Sequence, residues 1–261
     1  KAAGASIAGF GAPRDARTQA EGYRYLSRLA RAGLEAFVEY ADPRAPVLRR
    51  MVHETVKMGA DNPDNYYQNA TIDGRYRYRL HGTRGTVHFL GLSTQKGGYG
   101  RSGGLPPTGF LDSSALQVDS DGTLEVVLSC DRAEGNWLPM TPETGLLIVR
   151  QTFLDRQGEE PARLTIERID GDGLPGPVTA ESIEQGLRSA GDLAAGASLL
   201  FAKWARDLRN HTNTLPQFDP DRSTAAGGDP EIAYYHSYWE LRPDQALVID
   251  VSPPDCEHWN F

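Results

Sequence analysis

A chain of 261 residues, 39% hydrophobic and 24% charged, is long enough for one large domain or two small ones and can bury a core without a disulfide or metal staple. Its net charge of −8, with no dense basic stripe interleaved with aromatics, argues against a nucleic-acid binder. Its longest apolar runs, such as Leu146 to Val149, fall far short of the ~20 residues of a transmembrane helix.

The charge is uneven: residues 1–100 hold 15 basic against 9 acidic residues, and the remainder 12 against 26. Two cysteines, Cys130 and Cys256, are too few for a disulfide framework and read as unlinked thiols. The N-terminus has no hydrophobic signal core, which reads as cytoplasmic. Lys1 in place of a Met reads as a processing remnant, a cloning scar or the first ordered residue.

Residues 18–40 form an amphipathic pattern. Thr18 and Glu21 have capping-box spacing, and Tyr23, Leu26, Ala30, Leu34 and Phe37 make the expected core-facing stripe. Arg17, Arg24, Arg28 and Arg31 share the other face, where Glu35 at i+4 from Arg31 suits a solvated, salt-bridged surface. Val47 to Met58 reads as a second helix.

From residue 75 the period drops to two. Tyr76, Tyr78 and Leu80 alternate with arginines, as in a half-buried strand. Thr86 to Ser93 reads as the next strand, with Gly82 to Gly85 as a hairpin turn between them. Gly97 to Gly109, with six glycines and two prolines, reads as a loop. Leu116–Val118 and Thr123–Cys130 flank an Asp121-Gly122 reversal, and strands are expected at 146–154 and 162–169.

A long helix is expected over 179–209, with Ile183, Leu187, Ala190, Ala194, Ala197, Leu200, Trp204 and Leu208 on its buried face. Strands follow at 232–241 and 246–251. Short polar turns between strands argue for antiparallel pairing rather than a doubly wound sheet. The predicted class is α+β and β-rich: an antiparallel β-sandwich or jelly-roll-like core with two or three packed helices. The division expected is an N-terminal helical segment and polar loop over 1–70, then a β-rich domain over 71–261 with an inserted helix, possible also as one continuous domain.

The candidate site centres on Asp61-Asn62-Pro63-Asp64-Asn65-Tyr66-Tyr67. Asp and Asn set local turns, which accounts for the segment structurally; the functional alternative converges carboxylates, amides and phenols on a polar ligand. In that reading Asp61 and Asp64 act as acid/base groups, while Asn62, Asn65, Tyr66 and Tyr67 bind. Asn136 and Trp137, placed in a turn, and Arg150, which interrupts an apolar run, complete the set. Arg150 lies either on a solvated face or, if buried, against a carboxylate or an anionic ligand. The six histidines lack zincin or Cys-x-x-Cys spacing, and phosphate-loop and dinucleotide fingerprints are missing, so no metal or cofactor is expected.

Several separated segments carry a family likeness. They are Gly22-Tyr23-Arg24-Tyr25-Leu26, Asp61-Asn62-Pro63-Asp64-Asn65, Ile72-Asp73-Gly74 with Tyr76-Arg77-Tyr78-Arg79, Asn136-Trp137-Leu138-Pro139, and Leu147 to Gln151 with Phe153-Leu154-Asp155. Together the chain resembles bacterial proteins carrying the domain of unknown function 1214, from about Ala20 to Phe261. The resemblance implies a β-rich sandwich but no reaction, and it implies further strands beyond Phe261. The functional expectation is an enzyme, or enzyme component, for a small polyol or carbohydrate-like substrate held in a polar-aromatic pocket. The alternative is a non-catalytic binding or interaction module completed by a second polypeptide or by a further C-terminal portion.

Overall fold

The computed structural model describes residues 3–59, 61–98 and 104–261. Lys1 and part of the predicted 97–109 loop lie outside the described residues. Within them, β1 (Asn65–Thr71), β7 (Thr144–Thr152), β3 (Phe89–Lys96) and β4 (Pro107–Asp112) lie side by side, in that order, in a first sheet. A second sheet has the order β6 (Asn136–Pro139), β5 (Thr123–Ser129), β2 (Tyr78–Thr83) and β8 (Arg163–Arg168). All pairings are antiparallel except the parallel pair β5–β6. The class is α+β and β-rich, with a sandwich-like core.

The alternation of side chains builds that core. Leu90 and Leu92 on β3 and Leu147 and Val149 on β7 point inward from the first sheet. They meet Tyr78 and Leu80 on β2 and Val126 and Leu128 on β5. Gln151, fully buried on the same inward face, is satisfied by the backbone of Ala162 through both its amide groups. At one edge Thr94 Oγ1 donates to the Pro139 carbonyl at 2.6 Å, which stitches the sheets where β4 approaches β6.

The reversal at Gly82–Gly85 is therefore not a hairpin. Its flanking strands lie in different sheets, and their apolar residues face each other across the core rather than side by side. Gly82 and Gly85 have φ of +148° and +61°, conformations that L side chains rarely adopt, and they turn the chain from one sheet to the other. Asn136 and Trp137 sit in strand β6 rather than in a turn. Part of the Gly-rich segment forms β4, and β1 begins within the polar loop at Asn65, so a boundary at residue 70 falls inside a strand. Asp119-Gly122 does reverse tightly, with Gly122 N–H donating to the Asp119 carbonyl, but Leu116–Val118 is no strand.

Helices form a second layer: α1 (Gly4–Ala8), α2 (Ala16–Leu34), which continues into a π-helical turn at Glu35–Glu39, α3 (Ala180–Asp207) and α4 (Pro220–Ala225). The start of α2 is capped by Asp15, whose carboxylate accepts from Thr18 N–H at 2.9 Å, rather than by Thr18. Thr179 caps α3 in a capping box with Ser182.

The buried face of α2 is rotated from the predicted stripe, and that of α3 is rotated only in part, since Ala190, Ala194 and Ala197 are buried as expected. On α2 the buried residues are Leu29, Ala32 and Gly33, and Tyr23 and Leu34 are exposed. On α3 they include Gly186, Ser189, Ala190, Leu193, Ala194 and Ala197, and Leu187 is exposed. The reason is close approach: a Cβ on Gly33 would lie 2.9 Å from the Ala190 Cα, and one on Gly186 would lie 2.2 Å from the Phe37 carbonyl oxygen. Small residues win the interface because the backbones nearly touch. On the exposed side, Arg24 pairs with Glu21 and Arg31 donates to Thr55 Oγ1.

Two further expectations fail. Residues 47–58 are not helical: Arg49 forms a two-way backbone bridge with Asn69 that covers the free edge of β1, and His53 and Val56 close a tight turn. An unpaired strand edge outcompetes a weak helical periodicity. Residues 232–251 hold no strand; 232–241 runs beside 211–218 with the isolated bridges Gln217–Tyr235 and Thr212–Tyr238 and no continuous ladder. The alternation there belongs to an extended strap, which presents Tyr234 and His236 to one side.

Candidate functional site

The face of the first sheet that turns away from the sandwich core is unusually polar. Strand register sets three rows across β1, β7 and β3: Tyr67–Arg150–Gly91, Asn69–Ile148–Ser93 and Thr71–Leu146–Gln95. The β1 and β7 members of these rows floor a cavity of about 220 Å³. Ala36 and Phe37 of the π turn and Leu193, Phe201 and Trp204 of α3 form its opposite wall. The strap closes a side with Gly227, Tyr234 and His236, and Arg49, Val52 and Asp61 close another. The π turn that ends α2 places Phe37 at the cavity.

Arg150 is the central polar group, only 6% exposed. Its Nη2 donates to the Gly227 carbonyl. Its Nη1 lies 3.9 Å from the Asp229 carboxylate, beyond hydrogen-bond reach, and has no hydrogen-bond partner. Gly91 opposite Arg150 leaves room for Asp229, whose Oδ2 would lie 3.8 Å from a Cβ there. Burial pushes the Asp229 carboxyl up, while Arg150 pulls it back down.

Tyr67 accepts hydrogen bonds from the Asn62 N–H at 3.2 Å and from Asn65 Nδ2 at 2.9 Å, so its own proton is directed away from both donors. Burial raises the pKa of Tyr67 and of Tyr234, and both stay protonated donors at neutral pH. Asp61 accepts from Lys57 Nζ at 3.0 Å and from Met58 N–H at 3.3 Å.

The aromatic wall is continuous. Phe201 meets Trp204 edge-on at 5.4 Å between centroids, and Trp204 and His236 each lie 4.7 Å from Phe218. Burial lowers the His236 pKa, so the folded chain favours the neutral ring. The unfolded chain then takes up a proton first as pH falls, and the stability from this site is whole above the ordinary pKa of about 6.5 and is lost as pH falls below it. His236→Phe is accordingly expected to flatten the fall in urea midpoint between about pH 7 and about pH 5. Parallel wild-type and mutant curves would show that the imidazole is not held neutral.

Of the residues singled out in the sequence, Asp61, Tyr67 and Arg150 line the cavity, and Asn62 and Asn65 position the Tyr67 hydroxyl. The others are elsewhere. Asn62 Oδ1 closes an Asx turn on the Asp64 N–H at 2.8 Å, and Asn260 binds both side chains. Tyr66 lies under the Arg50 guanidinium at 4.6 Å. Asn136 clamps Gln117 through its N–H and carbonyl. Trp137 donates to the Ser129 carbonyl at 3.2 Å, with Arg132 beside its ring. Both belong to the second sheet.

Arg49, Asn69, Trp204, Tyr234 and His236 were not singled out as a site. The signal for the last two was the Tyr234/His236 alternation, read as a strand. Cys130 and Cys256 are free thiols. Among the described residues, no helix is long and apolar enough to cross a membrane.

Fold and site define a two-sheet β-sandwich whose outer face, helices and strap enclose a ligand-sized cavity. An uncharacterised protein from Burkholderia cenocepacia, of solved structure, is 50% identical, with a TM-score of 0.89 over 93% of this chain and 67% of its own. The chain belongs to the same family as that protein and spans about two thirds of its length. The VPA0106 protein from Vibrio parahaemolyticus, 15% identical, aligns over 59% of this chain and 44% of its own with a TM-score of 0.36, too low to carry an argument. No protein-family model and no curated protein matches the chain.

Proposed function

We propose that the chain binds a small, mostly apolar organic molecule in the cavity between the first sheet and α2–α3. The observation that carries this reading is the lining. Phe37, Val52, Ile148, Phe201 and Trp204 make a largely apolar wall, and Arg49, Asp61, Tyr67, Asn69, Arg150 and Tyr234 supply polar groups at the floor and rim, a make-up that suits a small-molecule site. The polyol reading drawn from the sequence leaned on Asp61, Asp64, Asn65, Tyr67, Trp137 and Arg150; Asp61, Tyr67 and Arg150 line the cavity but Asp64, Asn65 and Trp137 do not, and the apolar wall favours a ligand with a larger apolar body. Kinship with the domain of unknown function 1214 is a further proposal, supported by the quoted motifs.

The test uses 4-phenylbutan-1-ol as a neutral probe, followed by amide chemical shifts. Saturable shifts are expected around Phe37, Ile148 and Phe201, and Val52→Trp, which fills the half-buried rim, removes them without unfolding the chain. Shifts that scatter over the outer surface, or survive in Val52→Trp, would reject the cavity as the site.

A further inference from the structure

We infer that the ligand is an organic anion, its apolar body against the aromatic wall and a single anionic head on the Nη1 edge of Arg150. This rests on the reading of the cavity as a ligand site and adds the charge class of what enters it.

A guanidinium carries five N–H donors and needs them met when it is withdrawn from water. Arg150 gives one nitrogen to Gly227, and its Nη1 is buried with no hydrogen bond. Asp229 stands 3.9 Å off and does not line the cavity. Asp229 Oδ2 also lacks a hydrogen bond, so the ion pair leaves a donor and an acceptor unmet, and of its two members only Arg150 lines the cavity.

A second arginine repeats the pattern. Arg49 also lines the cavity, and its Nη1 is likewise buried without a hydrogen bond, 3.7 Å from Glu35. Against these two guanidinium groups the lining offers one carboxylate, Asp61, already neutralised by Lys57. The hydroxyls of Tyr67 and Tyr234, on residues lining the same cavity, add neutral donors suited to oxygen anions. A cation would meet two guanidinium groups whose Nη1 donors lack hydrogen bonds. A neutral ligand would leave both donor edges unmet, which costs the desolvation of each group.

The discriminating measurement is calorimetric titration with a matched pair of probes, 4-phenylbutyrate and 4-phenylbutan-1-ol. The wild-type chain is expected to bind the carboxylate at least about tenfold more tightly, as a charge-assisted hydrogen bond replaces an unmet one. Arg150→Met combined with Asp229→Leu removes donor and counter-charge together, which preserves the fold. In that variant the preference should vanish while the alcohol binds as before; Tyr67→Phe should weaken the carboxylate alone. Equal affinity of the two probes for the wild-type chain would overturn the anionic assignment and leave the cavity reading standing. Binding of neither probe would overturn both, and a preference that survives in the double variant would show that the head sits away from Arg150.

Discussion

Arg150→Met unfolds at a urea midpoint far below the wild type, with a loss of roughly 3–5 kcal/mol, the range for removing one partner of a buried ion pair. The cause is what it leaves behind. Asp229 is 2% exposed, and without Arg150 its carboxylate keeps its burial cost and loses the positive charge that offsets it. The Gly227 carbonyl loses its donor as well. Replacing both members, by adding Asp229→Leu, recovers most of the loss because no buried charge remains. The comparison is a double-mutant cycle in urea. If the two single variants and the pair lose stability additively, then the 3.9 Å separation marks two groups that do not sense each other.

Gly186→Ala gives the second large effect, a loss of roughly 1–3 kcal/mol, as for other overpacked sites. The added methyl carbon would sit 2.2 Å from the carbonyl oxygen of Phe37, a backbone atom of the π turn that cannot swing aside as a side chain can. The helices must separate, and Phe37 and Leu193, which line the cavity, must move with them. Gly191→Ala, one and a half turns further along α3, meets nothing within 4 Å and lies on the exposed side. It removes only the entropic cost of glycine in a helix and is expected to stabilise by roughly 0.5–1 kcal/mol. Thermal unfolding of the two variants separates close approach from helix propensity, since propensity alone makes both substitutions favourable. A raised melting temperature for Gly186→Ala would show that the helices are not in tight contact.

Much of the fold was legible because the two-residue and helical periods are local properties. Val126 and Leu128 alternate outward and inward with their neighbours wherever β5 ends up, and Trp204 recurs at helical spacing whatever it touches. Which strands pair is not local. Tyr78 and Leu80 read the same in a hairpin with Leu90 and Leu92 as across a sandwich from them, and only the closed core decides. The helix stripes were misjudged at Tyr23, Leu34 and Leu187, which are exposed, because size was taken as the sign of burial. In α2 and α3 the closest contacts are made by Gly33 and Gly186, which carry almost no hydrophobic signal, against Ala190 and Phe37, which the stripes included.

The candidate site was legible only in part for a related reason. Arg150 stood out as a charge inside an apolar run, and Tyr67 and Asp61 stood out in a dense polar motif. Tyr234 and His236 reach the same cavity from a strap over eighty residues further along the chain than Arg150, and no local pattern announces such a meeting.

The strict alternation on β1, β7 and β3 separates inheritance of the fold from inheritance of the ligand. Leu147, Val149 and Leu92 hold the sandwich from one face, and Asn69, Ile148 and Arg150 meet the cavity from the other. Substitutions at the second set can retune what is bound while the first set continues to specify the sheets. Diversification among members of this family is thus free to concentrate on every second residue of β1 and β7, in step with the strap that covers them.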